Sequence, residues 1–368
     1  MTPPAAAWSA VRRVLCVRLD TLGDVLMTTP ALRAVREHSP GCHVTLLTSR
    51  PGAAAAALVP VIDDVIVYDA PWLKATPLRT DPSADFAMID RLRRERFDAA
   101  IIFTVFSQSA LPAAQSCYLA GIPLRLAHSH ENPYQLLTTW VPDPEPASGI
   151  RHEVERQLAL VAQVGFRTAD TRLALQVPDD ARARVRARLA ALGLGSAQPW
   201  VMMHPGATAP SRRYPAQRFG EVARMLARDL GATVLVTGDA TERSLAAEVC
   251  TVEGARARSL AGELSLAELA ALVDAAPLLV TNNTGPAHMA AALGTPVVDI
   301  YALTNPQHTP WQVPSRVLSR DVPCRNCFRS VCPEGHNECI RGIAAEEVAR
   351  AAHDLFVETQ PAAPRLIA

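Results

Sequence analysis

The sequence predicts an α/β protein of two layers, each a mostly parallel sheet with crossover helices. Three observations carry this reading. Strand-length apolar runs alternate with stretches of helical periodicity through the first part of the chain. The alternation restarts at Trp200, after a compositional break between Val177 and Gln198 where an Arg/Ala-rich helix ends in Leu-Gly-Leu-Gly-Ser. A length of 368 residues is too great for one ordinary core and suggests two domains of comparable size.

The first layer opens with residues 14–19 as a buried strand, and helical spacing begins at Val25. Between them lies the turn Asp20-Thr21-Leu22-Gly23-Asp24. Such a strand-turn-helix sets a small loop at the carboxyl edge of a sheet, beside a helix N-terminus that favours negative charge. Asp24 sits at that mouth, either as a helix cap or as an ionised carboxylate available as a general base. Strands follow at 44–48, 64–68 and 99–103, with helices at 51–58 and 84–96 and a Pro-rich loop at 71–81. Residues 104–109 leave the last of these strands and join Asp20 to Asp24 at the carboxyl edge. The segment LRLAHSHEN, 124–132, reads as a polar loop cluster, residues 142–149 as a surface excursion, and 151–164 as a helix.

In the second layer, 200–203 is the first strand and ends in His204-Pro205-Gly206-Ala207-Thr208. A helix runs to Leu230, a strand covers 232–236 and exits at Thr237-Gly238-Asp239, and Glu242 follows in the next helix. A helix at 265–275, a strand at 277–281, a helix at 288–293 and a strand at 296–301 continue the pattern, and 344–357 closes the chain as a helix. The domains expected are 1–178, a linker at 179–199, 200–343, and a closing segment at 344–368.

Charge and cysteine content bound the partners. Lys+Arg and Asp+Glu balance at 36 each, which argues against nucleic acid and against strong adsorption to membranes. Lys74 is the only lysine, so an anion site has to rely on arginine and backbone N–H groups. No apolar run is long enough to span a bilayer, and the start MTPPAAAWSAVRR lacks the apolar stretch of a signal peptide. A cytoplasmic chain is therefore expected, with room for a local patch that meets the inner face of the membrane peripherally. Of eight cysteines, Cys16, Cys42, Cys117 and Cys250 look like small core residues. The run Cys324-x2-Cys327-x4-Cys332-x6-Cys339 has the spacing of a structural zinc. Packed reduced thiols and redox or disulfide chemistry are the alternatives, and in none of these does the run perform catalysis.

The richest motif is TNNTGPAHMAAALGTP, 281–296. Gly285 permits close backbone approach, Pro286 suits a first helical turn, and the helix N-terminus beside Thr284 can receive phosphate oxygens. Arg212 and Arg213, after the glycine loop at 204–208, make a reasonable clamp for a diphosphate.

Together LDTLGDVLMTTP (19–30), HPGATAPSRRYP (204–215), 283–296 and PCRNCFRSVCPEGHNECI (323–340) resemble glycosyltransferase family 9, the ADP-heptose:lipopolysaccharide heptosyltransferases, most of all their heptosyltransferase II branch. The resemblance implies a GT-B fold of two facing Rossmann-like domains, with the acceptor on the first, the nucleotide sugar on the second, and the closing segment at 344–368 crossing back to the first. It implies inversion at the anomeric carbon with no cofactor required for catalysis. It puts the base on Asp24 and the residue that neutralises the leaving diphosphate on Arg212. The family's Asp-Thr-Gly donor loop falls on Asn283, Thr284 and Gly285, with an amide where relatives carry a carboxylate. Thr208, Arg213, Gly238, Glu242 and His288 complete the expected donor side. Thr21, Gly23, Gln108, Arg125, His130 and Asn132 form the expected acceptor side. The expected partners are a nucleotide-sugar donor and a saccharide or glycolipid acceptor. A sugar-nucleotide epimerase or hydrolase, and a nucleotide-sugar-binding protein without transferase activity, are the competing readings.

Overall fold

After a short helix, α1 (Ala5–Ser9), the first apolar run forms strand β1 (Arg13–Arg18) of a wholly parallel sheet. The computed structural model describes residues 5–74, 76–194 and 198–360 and divides into two units, Met1–Gln176 and Val177–Ala368. In the first unit there follow α2 (Leu22–His38), β2 (His43–Thr48), α3 (Arg50–Ala56), β3 (Asp64–Val67), α4 (Ser83–Glu95), β4 (Ala99–Ile102), α5 (Leu111–Leu119), β5 (Leu124–Ser129), β6 (Thr139–Pro142) and α6 (Glu153–Ala162). The strand order is β3-β2-β1-β4-β5-β6. Such an order reverses direction between β1 and β4, and ligands of open α/β sheets bind beside that reversal at the carboxyl ends.

Alternating residues of the strands enter two separate cores. Val14 and Cys16 join Val44, Leu46, Ala99 and Ile101 on the face covered by α2. Leu15 and Val17 join Leu47, Ala100 and Ile102 on the other. The strands are apolar throughout because both faces of the sheet are covered.

Helix α2 carries Pro30 within its length, which removes the N–H that would reach Leu26. The Thr29 hydroxyl donates to the Leu26 carbonyl at 2.7 Å in its place. The same oxygen accepts from Ala174 N–H at 2.8 Å, which ties the end of the unit to α2.

The second unit contains α7 (Asp179–Ala191), β7 (Trp200–His204), α8 (Ala216–Leu230), β8 (Thr233–Val236), α9 (Arg243–Cys250), β9 (Ala257–Ser259), α10 (Leu266–Ala275), β10 (Leu279–Asn282), α11 (Gly285–Leu293), β11 (Val297–Ile300), β12 (Ser315–Leu318), α12 (Glu338–Arg341) and α13 (Ala345–Thr359). Its order, β12-β11-β10-β7-β8-β9, repeats the plan of the first sheet, with the reversal between β7 and β10. Helix α8 stops at Gly231, whose φ of +66° a side chain would disfavour.

Several expectations change. The segment read as a polar loop contains strand β5, in which Arg125, His128 and Ser129 are buried despite their polarity. Helix α5 and strands β6 and β12 had no clear signature in the sequence. Most of the expected linker at 179–199 is helix α7, which packs on α10 through Arg182–Asp274 and Arg184–Glu268 ion pairs. The closing helix α13 lies against α8, β11 and β12 of its own unit. Residues 195–197, within the expected linker, and 361–368, at the end of the closing segment, lie outside the described residues.

Candidate functional site

In the first unit, the carboxyl end of β1 is organised by one buried cation. The Arg18 side chain is fully buried and ion-paired to Asp20 at 3.0 Å, Asp24 at 2.9 Å and Glu153 at 2.7 Å. Burial opposes its charge, but the three carboxylates outweigh that and hold the guanidinium protonated above the usual arginine range. One cation against three acids leaves negative charge at the edge of the sheet. Asp20 shows the effect: burial raises its pKa, Arg18 opposes the rise and Asp24 adds to it, and the group ends at about 6.

Asp24 is the third residue of α2, and its side chain faces back along the helix. One oxygen accepts from Arg18, and the other accepts from the Thr21 N–H at 3.1 Å and the Thr21 hydroxyl at 2.9 Å. Thr21 and Asp24 thus form a capping box, so the capping role and an oriented carboxylate coexist in one residue. The side chain remains 16% exposed.

Two cavities open beside this edge. One, of about 360 Å³, is lined by Asp20, Trp72, Lys74, Thr104, Gln108 and neighbouring residues, next to the reversal between β1 and β4. The other, of about 400 Å³, is lined by Gln108, His128, His130 and Asp143 among others. Gln108 donates to Asp20 at 2.7 Å and lines both. Asp20 escaped the sequence reading as a site residue, although its place at the carboxyl end of the first strand was a usable signal.

The other expected acceptor residues divide. Thr21 caps α2, and Gly23 is buried in its first turn. His130 meets the Phe106 carbonyl at 2.7 Å and lines the second cavity. Asn132 accepts from Tyr134 N–H at 2.9 Å and shapes a turn. Arg125, expected at the acceptor, instead donates to the carbonyls of Ile122, Gln135 and Leu136 and lies over the Tyr118 ring. Its buried charge satisfies backbone groups that the chain would otherwise leave unpaired.

In the second unit, the loops after β7 and β10 are stitched by Asn282. Its amide donates to the Pro205 carbonyl at 2.7 Å and accepts from Tyr214 N–H at 3.1 Å. Neither sequence motif had singled out this residue. Thr284 is the extended residue before α11, and Gly285, Pro286 and Ala287 form its first turn. Asn283 is buried and donates to the His308 carbonyl at 3.3 Å. His288 is buried within α11.

Arg212 donates to the Asn305 side chain at 3.0 Å, whereas Arg213 donates to the Ala207 carbonyl at 2.6 Å. Thr208 is exposed in the loop between them and β7. Asp299 is fully buried, with no hydrogen-bond partner on either oxygen among the described residues. Burial drives its pKa well above the usual carboxylate range, and the nearby Arg212 charge only partly offsets this.

Glu242 accepts from Asp239 N–H at 3.0 Å in a short turn before α9. Its carboxylate sits beside Gly238 and directly over Gly206, where an added Cβ would fall 2.1 Å from it. Gly206 is therefore a close-approach glycine. His204, buried below and bonded to Thr237 at 3.0 Å, has its pKa lowered by burial to about 4.

Cys324, Cys327, Cys332 and Cys339 are free, half-buried thiols. Among the described residues no group of three or more His, Cys, Asp or Glu side chains that could hold a metal ion is found. Backbone bonds pin the loop, from Asn326 N–H to Leu303 at 2.7 Å and from Ser211 N–H to Ser330 at 3.0 Å. No helix among the described residues is long and apolar enough to cross a membrane.

The model of Glycosyltransferase family 9 (heptosyltransferase) matches residues 86–337. The chain is 28% identical over 325 residues to lipopolysaccharide heptosyltransferase 1 of Pseudomonas aeruginosa, a match spanning 87% of each protein. It is 29% identical over 283 residues to lipopolysaccharide heptosyltransferase 2 of Escherichia coli, covering 73% of this chain and 78% of that one. The structure of E. coli ADP-heptose lipopolysaccharide heptosyltransferase II superposes with a TM-score of 0.72 at 24% identity, over 94% of this chain and 99% of that one. That likeness shows the two-Rossmann GT-B plan that the sheet orders indicate.

Proposed function

The chain belongs to glycosyltransferase family 9, and on that premise we propose that it transfers heptose from ADP-heptose to a hydroxyl of a lipopolysaccharide-core saccharide, with inversion. Its enzymatic class, glycosyl transfer from a nucleotide sugar to a saccharide, follows from the family. The donor reading is supported by the relatives named above, whose heptosyltransferase 1 and 2 types it matches about equally.

The observation that carries the mechanism is the Asp24 carboxylate held by Arg18 and Thr21 at the N-terminus of α2. Such a group is oriented and still partly accessible, as a general base requires. In the proposed step Asp24 takes the proton of the acceptor hydroxyl while that oxygen bonds to the anomeric carbon. The bond from the anomeric carbon to the diphosphate oxygen breaks, and its electron pair leaves with ADP. Positive groups must receive the charge that develops on the diphosphate. The N–H groups opening α11 and the Arg212 guanidinium are the candidates. Glu242, beside Gly206, is placed in this reading to accept from the donor's ribose.

The test is to incubate the purified protein with ADP-heptose and an O-deacylated lipopolysaccharide core and to follow heptosylated product and released ADP. Transfer that Asp24→Asn abolishes while ADP binding persists is the expected result. Absence of transfer by the unmodified protein, or an active Asp24→Asn variant, overturns it.

A further inference from the structure

We propose that Asn305 is a positioning residue for the leaving diphosphate: its neutral side-chain oxygen aims the Arg212 guanidinium without cancelling the charge. This assignment rests on the diphosphate role of Arg212 given above and adds to it the loop that leaves β11, residues 301–309.

That loop is polar yet buried. Tyr301, Thr304, Asn305, Gln307 and His308 are each less than a tenth exposed. Buried polar groups need partners, and several of these find one another. The Tyr301 hydroxyl donates to the Asn305 carbonyl and accepts from His308 N–H at 3.3 Å. The His308 carbonyl accepts from the Asn283 amide at 3.3 Å, which ties the loop to the residue before Thr284 and the N-terminus of α11.

The Asn305 side chain sits at the centre. Its amide nitrogen lies 2.7 Å from His308 Nδ1, and its oxygen accepts from the Thr304 hydroxyl at 2.7 Å and from Arg212 at 3.0 Å. Arginine only donates, so the atom facing it is the oxygen. Three contacts fix the amide, and the amide fixes the arginine.

The other side of the pair is fixed as well. Ser211, one residue before Arg212, donates from its N–H to the Ser330 carbonyl at 3.0 Å and from its hydroxyl to the Arg329 carbonyl at 2.8 Å. The same four-cysteine loop reaches the Asn305 side, with Asn326 N–H donating to Leu303 at 2.7 Å and Phe328 N–H to Thr304 at 2.8 Å. One loop therefore braces both partners.

Charge sets this arginine apart. Arg18 meets three carboxylates and Arg156 meets Asp143, whereas Arg212 has no ion pair among the described residues and is held by a neutral amide. Its Nε is buried without a hydrogen-bond partner among those residues. The Asp299 carboxyl, which the Arg212 charge reaches, is driven toward its neutral form by burial. A full positive charge thus remains for a diphosphate.

The experiment measures ADP and adenosine affinity by calorimetry, and thermal unfolding, for the full-length protein and for Asn305→Ala, Asn305→Asp, Arg212→Gln and the Asn305→Ala/Arg212→Gln pair. Asn305→Ala should weaken ADP about tenfold and leave adenosine, which has no diphosphate, within about twofold. In the Arg212→Gln background the same substitution should change ADP affinity less than about twofold, because the residue it acts through is gone. Asn305→Asp keeps the shape and the hydrogen bond but pairs the arginine with a charge, and should weaken ADP to a similar degree. Equal losses for ADP and adenosine, or a full loss in the Arg212→Gln background, make Asn305 merely structural and overturn the assignment. An Asn305→Asp variant that binds ADP as tightly as the unmodified protein overturns it too. If Arg212→Gln weakens ADP but Asn305→Ala does not, the role of Arg212 stands and that of Asn305 falls. If Arg212→Gln leaves ADP binding unchanged, both fall. If the ADP pattern holds while the unmodified protein transfers no heptose, the transferase reading fails and the positioning role stands.

Discussion

Arg18 and Glu153 meet at 2.7 Å with both side chains fully buried, linking β1 to α6 across 135 residues of sequence. The pair explains why Asp24 has a fixed orientation. Glu153 holds the guanidinium from within the fold, and the remaining nitrogens of that guanidinium reach Asp20 and Asp24 at the edge. Charge that would be costly to bury alone is stabilised by being shared.

Breaking the pair from one side should be severe. Arg18→Met leaves Glu153 buried with the Gln157 amide but without its cation, and should destabilise the protein by about 3–5 kcal/mol. Urea denaturation measures this directly. The double variant Arg18→Met/Glu153→Met should recover part of the loss, because it removes the stranded charge.

Asp20 should leave a signature in the pH dependence of stability. Its pKa is raised from 3.8 to about 6 on folding, so between those values the folded state binds more protons than the unfolded one. Stability from this group is therefore complete below about pH 4 and is lost as pH rises through 6, by roughly 3 kcal/mol. Urea midpoints at pH 4 and pH 7 should show a smaller decline for Asp20→Asn than for the unmodified protein.

Asp24→Asn keeps the shape of the capping box and removes the base. The expected fall in kcat is about 10²–10⁴-fold. ADP affinity, measured by calorimetry, should remain within about threefold, a margin of well under 1 kcal/mol. A comparable loss of ADP affinity would assign Asp24 to structure.

Gly206→Ala tests the donor side without touching charge. The new Cβ would overlap the Glu242 carboxylate, which is the movable end of a flexible side chain. The fold should survive, Glu242 should swing away, and ADP binding should weaken by about ten- to 150-fold, equivalent to losing one hydrogen bond to a charged group.

Asp299→Asn removes an ionisable group that is wholly buried and lacks a hydrogen-bond partner among the described residues. Because its pKa is raised in the folded state, ionisation at neutral pH opposes folding. The variant should be more stable at pH 7 by about 1–3 kcal/mol and should lose that advantage at pH 4. Thermal unfolding at the two pH values provides the check.

The sequence by itself determined the α/β class, the two restarts of strand-turn-helix, and the loops that leave β1, β4, β7 and β10 at the carboxyl edges. These features are local: period-two and period-3.6 patterns are written along a single element, and a loop after a parallel strand has only one edge to occupy. The positions of Asp24, Gln108 and Thr284 just beyond strands β1, β4 and β10 were legible for that reason. Only the tertiary structure decided that Arg18 joins three carboxylates, that polar β5 is a buried strand, that Arg125 binds carbonyls, and that Asp20 lines a cavity with Gln108. Each depends on groups far apart in the chain. Burial and pairing at such distances are set by how the layers pack, and no local period records which partner a polar side chain will find.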